Sequence, residues 1–192
     1  GVLTLNGVSI APPGEQNAIK ISDMTLAEQA DGSVVITPGA AIGLDGSADG
    51  GGKFDLVHEG LVITAHEGEG GALVYDYSAD SLKATIDASF EGYSFDPNPP
   101  AQRVTSLIDA SFEGLNGSYS DTPGTNRAFD LVLNATKFGY DITSDDPNLK
   151  QKQVQKSETS DVAMSGTLTL PATMALTAIQ GPGDFAKALA DG

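Results

Sequence analysis

The chain has no cysteine. That excludes a disulfide framework, a thiolate metal site and a cysteine nucleophile, and it leaves the redox compartment open. Basic residues are scarce: 10 stand against 26 acidic ones, for a net charge of −16. Such a field repels nucleic acid and anionic lipid headgroups, so neither is expected as a partner, and its plainest role is colloidal solubility. No apolar run approaches the roughly 20 residues of a membrane-spanning helix, so no membrane span is expected. Histidine occurs only at 58 and 66. A zincin helix needs HExxH on one face, whereas these two stand in strand-like sequence, about 25 Å apart along a continuous strand. The chain also lacks a G-x-S-x-G elbow, a Walker loop and a dinucleotide fingerprint.

What is present is 192 residues rich in glycine (23), with 40% hydrophobic residues, enough for one domain spanning 1–192 with a real core. Sorting positions by parity shows strands. Leu82, Ala84, Ile86, Ala88 and Phe90 alternate with Lys83, Thr85, Asp87 and Ser89. Val104, Ile108, Ala110 and Phe112 alternate with Thr105, Asp109 and Ser111; Phe129, Leu131, Leu133 and Ala135 with Asp130 and Asn134. Val162, Met164, Leu168 and Leu170 form another such set. Turn clusters separate them: HEGEGG at 66–71, DPNPPAQ at 96–102, SDTPGTN at 120–126 and SDDPN at 144–148. Strands joined by short polar turns make an antiparallel meander. Residues 1–50 read as three or four shorter strands. NLKQKQVQKSETSD at 148–161 reads as either a solvated loop or an edge strand blunted by Lys150, Lys152 and Lys156. Pro182-Gly183-Asp184 opens a short helical segment.

The heptapeptide IDASFEG occurs at 86–92 and again at 108–114. After each copy the apolar parity flips, to Tyr93 and Phe95 and to Leu115 and Tyr119. Similar flips fall at Gly60 and near Gly139. A parity flip beside glycine is the mark of a β-bulge, where one extra residue bends the strand. The repeat then serves successive strands that need the same core residues and the same bend. Pairing through the turns predicts two lines of bends, one through Gly92, Leu107 and Gly139 and one through Gly60 and Gly114. The expected fold is mainly β: a long, bent antiparallel meander of about ten strands, a gutter-like sheet or incomplete barrel, with minor helix.

The stretches GLNGSYSDTPGTNRAFDLVLNATKFGYDITSDDPN and SGTLTLPATMALTAIQGPGDFAKALADG, with the acidic Gly/Thr/Ser/Ala strands, resemble the exported alphaproteobacterial family called domain of unknown function 2125. The resemblance implies an exported, periplasmic protein of which this chain is a part, in keeping with a start at Gly1-Val2-Leu3 without an initiator methionine. That family brings no functional residues to carry over.

Function is therefore sought in the bent apolar face. Its candidates are Leu82, Ile86, Phe90, Ile108, Phe112, Leu131 and Leu133, holding a hydrophobic small molecule or a segment of another protein, with no catalytic residue, no metal and no cofactor. The competing expectation is that this face is closed core, with Phe90 and Phe112 fully buried. A second reading is a surface or adhesion module stabilised by Ca²⁺ at Asp45, Asp49, Asp141, Asp145 and Asp146, although neither loop has the EF-hand pattern. A carboxylate-based hydrolase ranks last, because no acidic pair stands out from the 26.

Overall fold

The computed structural model describes residues 1–10, 19–46, 52–91, 103–147 and 150–171. Among these, ten strands form one antiparallel sheet: β1 Val2–Ile10, β2 Ile19–Glu28, β3 Val34–Pro38, β4 Ala41–Gly46, β5 Gly52–Glu59, β6 Val62–Glu67, β7 Leu73–Glu91, β8 Arg103–Thr122, β9 Asn126–Asp146 and β10 Gln151–Pro171. The expected meander is what forms. The 3₁₀ turn Glu69–Gly71 joins β6 to β7 within HEGEGG. The helix expected after Pro182 lies outside the described residues.

Two pairs of short strands are halves of longer ones. β8 pairs with β7 along its length, so β5 and β6 share the opposite edge of β7, β5 beside 81–88 and β6 beside 73–78. β3 and β4 share one edge of β2 in the same way, with β1 on the other. Ten strands thus act as eight in simple up-and-down order, and the sheet does not close: β1 and β10 are its edges among the described residues. The lysine-rich stretch at 148–161 resolves in favour of the edge strand, since β10 begins at Gln151 and, among the described residues, pairs only with β9.

One row of residues crosses the sheet without regular ladder partners. Gly7 and Ser22 fall between Asn6–Asp23 and Val8–Ile21. Asp80 and Gly114 fall between Ala79–Leu115 and Ser81–Glu113, and Gly60 lies opposite Asp80. Thr136 and Asp161 continue the row through β9 and β10. Gly7, Gly60, Gly114 and Asp161 take φ of 62°, 66°, 59° and 55°, the left-handed region that glycine enters freely and Asp tolerates. The neighbouring strands fold side chains over the two central glycines. A Cβ at Gly60 would stand 2.6 Å from Asp80 Oδ2, and one at Gly114 would stand 2.8 Å from Thr136 Oγ1. That Thr136 hydroxyl donates to the Glu113 carbonyl at 2.8 Å.

Two sequence expectations are corrected here. The parity flips are not bulges in the central strands, because a bulge puts two residues opposite one and shifts the register. β7, β8, β9 and β10 each place one extra residue in the same row, so the pairing resumes unshifted on the far side. The second line of bends does not form as drawn. Leu107 pairs with Asp87 and Thr143, and Gly139 sits in regular pairing between Ser111 and Glu158. Gly92 lies outside the described residues. The heptapeptide also has a different meaning. Ile86 pairs with Ile108 and Ala84 with Ala110, so the two copies lie antiparallel, and their Glu-Gly ends point to opposite ends of the sheet.

The core follows the crease. Leu61, Ala79, Leu115 and Ala135 are buried in one row beside it. Val162 continues that row on β10, Ile63, Tyr77 and Leu133 pack on it from one flank, and Leu82 and Phe112 from the other. The apolar set therefore keeps to one side of the sheet across the flip.

Candidate functional site

One side of the sheet carries the apolar rows, and most of the ion pairs lie on the other. On the charged side Asp109 accepts from Thr85 Oγ1 at 2.6 Å and pairs with Lys83 at 3.2 Å. Lys137 bridges Glu158 at 2.8 Å and Glu113 at 3.7 Å, and Lys156 pairs with Asp141 at 2.5 Å. These pairs span neighbouring strands on an exposed face, so each contributes little to stability and they act mainly to keep this side wet.

On the apolar side aromatic rings stand in chains. Phe112 and Phe138 lie 4.8 Å apart between centroids, and Phe138 and Tyr140 lie 6.2 Å apart. Across the crease Tyr75, Tyr119 and Phe129 follow at 6.1 and 6.3 Å, with the Arg127 guanidinium 5.0 Å above the Phe129 ring. Tyr77 reaches over Gly117 to donate to the Val132 carbonyl at 2.7 Å. A Cβ at Gly117 would collide with that hydroxyl and that carbonyl, so the absence of a side chain there is what lets the ring lie flat on the sheet. Burial raises the Tyr77 phenol above its ordinary value.

The predicted residues do share this side, and they divide by distance from the crease. Leu82, Phe112 and Leu133 pack on the buried row and are half-buried. Ile108 is half-buried beside Ile86, which is 38% exposed, and Leu131 is 45% exposed. Phe90 pairs with Val104 through its backbone, and its side chain lies outside the described set. Full burial of Phe112 is therefore corrected: the face is closed only along the crease and open on its flanks, where Met164 (60%) and Leu73 (45%) add to the exposed apolar surface. Tyr75, Tyr77 and Tyr119 share this side by the same alternation, which also marks them in the sequence, although they were not among the candidates.

His58 stands on the apolar side, in the row of Leu82 and Phe112, whereas His66 stands on the charged side in the row of Asp130. The two cannot meet at one ion. His58 Nε2–H donates to the Gly39 carbonyl at 2.7 Å, which leaves Nδ1 as an inward acceptor without a partner among the described residues. His66 pairs with Asp76 at 2.9 Å, and that contact raises its pKa above 6.5. The pair's contribution is complete below pH ~6.5 and fades as pH rises through the raised value. The melting temperature should accordingly decline from pH 6 to 8, and His66→Gln should flatten that decline in a thermal scan.

The acidic candidates for calcium do not converge. Asp141 and Asp145 are four residues apart on one side of β9, about 13 Å, and Asp146 faces the other way. Asp141 is engaged by Lys156. Asp45 contributes only backbone pairing with Lys53 to the described set, and Asp49 lies outside it.

No protein family, curated protein or solved structure matches the chain.

Proposed function

We propose that the chain is a non-enzymatic, periplasmic binding module that holds a hydrophobic small molecule along the creased face. The observation that carries the reading is the open apolar flank: Ile86, Leu131 and Met164 are exposed on the same side as a row of buried residues and two chains of aromatic rings. A contiguous apolar surface of this kind, backed by a charged face, suits a ligand that is apolar along its length. The ring faces and the unpartnered His58 nitrogen offer little to a charged substrate. The periplasmic placement rests on the resemblance to domain of unknown function 2125, and the net charge of −16 disfavours a nucleic acid.

The native protein should raise the fluorescence of an anilinonaphthalene dye with its circular dichroism unchanged, and a long-chain fatty acid should displace the dye. Ile86→Asp and Leu131→Asp should each weaken dye binding at least about tenfold, since each places a charge on the apolar flank at a site already partly in water. Mass spectrometry of an organic extract of the native protein should then show the resident ligand. Absence of dye binding in the folded state refutes the proposal; dye binding that no small molecule displaces, with nothing in the extract, assigns the face to a protein segment instead.

A further inference from the structure

The lysines of β10 protect only part of that edge strand. Lys152 and Lys156 lie in its first half, where an edge is ordinarily blunted against other chains. From 162 to 170 the strand reads VAMSGTLTL, with no charge in a molecule of net charge −16. In this half Met164 is 60% and Leu168 38% exposed, and among the described residues β10 pairs with β9 alone. Gly166 stands in the middle of it. Its φ is not positive and a Cβ there would meet nothing within 4 Å, so the fold of one chain gives no reason for a glycine at a position where it weakens a strand.

The segment is nearly palindromic about Gly166. If a second copy pairs antiparallel on this edge with Gly166 opposite Gly166, Val162 meets Leu170 and Met164 meets Leu168, twice each by symmetry. The alternate positions then match Ser or Ala with Thr. A two-fold axis through Gly166 perpendicular to the sheet keeps the apolar set of both copies on the same side, and such self-complementary pairing is the commonest closed symmetry. Leu170 is already buried in its own chain, so the added burial comes from Met164 and Leu168. Thr167 is held to β9 through its hydroxyl, which donates to Asp130 Oδ1 at 2.6 Å.

We propose that residues 162–170 of β10 are the seam of a homodimer, formed by antiparallel pairing with the same segment of a second copy about Gly166. The occupant is a second copy because the near-palindrome sets every large apolar residue of the segment against another when centred on Gly166, whereas a shift of two residues sets Met164 or Leu168 against the glycine. The seam joins the two apolar faces into one continuous surface, and the inference does not depend on what that surface binds.

Sedimentation equilibrium of the full chain should give twice the 19.6 kDa monomer mass. Gly166→Lys sets two like charges face to face at the axis and should weaken the dimer at least about 100-fold while leaving the melting temperature of the monomer unchanged. Because the chain has no cysteine of its own, Gly166→Cys should crosslink to a covalent dimer under mild oxidant, and Val154→Cys, on the same strand in its lysine-bearing half, should not. A wild-type chain that stays monomeric to about 1 mM overturns the seam. So does a dimer that survives Gly166→Lys, or one that crosslinks equally through Val154→Cys.

Discussion

Gly114→Val should lower the free energy of unfolding by about 2–5 kcal/mol, the sum of a left-handed backbone forced on a β-branched residue and of overpacking. The φ of Gly114 is 59°, and its new side chain would press on Thr136, whose hydroxyl is committed to the Glu113 carbonyl. Thr136 can leave only by breaking that bond. For a domain of ordinary stability such a loss removes a large share of the whole. Gly43→Val is the control: its φ is not positive and the nearest atom to a new Cβ is Asp55 Oδ1 at 3.9 Å, so it should stay within about 1 kcal/mol of wild type. Urea denaturation of the two variants decides the matter. Equal losses at 43 and 114 would mean that the crease imposes no special backbone demand.

The second large effect is an inversion of size order. Leu115 is 6% exposed at the centre of the buried row, so Leu115→Ala should cost about 2–5 kcal/mol. Phe112 is a larger residue, three positions away, but it is half-buried and stands on the open flank. Phe112→Ala should therefore cost about half of the 3–5 kcal/mol that a fully buried ring costs. The smaller side chain is expected to matter more. Should Phe112→Ala prove the costlier of the two in the same urea series, the apolar face is covered and the open-flank reading falls with it.

Alternation was enough to identify β7, β8, β9 and the second half of β10 and to assign Leu82, Ile86, Ile108, Phe112, Leu131 and Leu133 to one side, because the side-chain period of a strand is fixed. The row through Gly60 and Gly114 was also legible, since a flip with glycine has a recognised cause. Asp80, Thr136 and Asp161 were not legible as its other members. Nothing about an Asp or Thr inside an alternating run marks a departure from regular pairing, and only the partner strands show it. The misplaced second line has a related cause. It depended on the register between 82–91 and 103–112, and turn composition at 92–102 does not determine how many residues the chain uses there. The openness of the flanks could not be read at all, because parity says which side a residue faces and not whether anything lies over it.

The shared row also constrains how the length of this chain can change. Removing Gly114 alone would leave β8 one residue short, and every side chain on one half of that strand would turn to the wrong side while its neighbours stayed in place. The same holds for Asp80, Thr136 or Asp161. A substitution along the row is a local disturbance, but a single-residue deletion is a fault running to the end of a strand about twenty residues long. Viable length changes are thus steered to the turns, or must occur in several strands together.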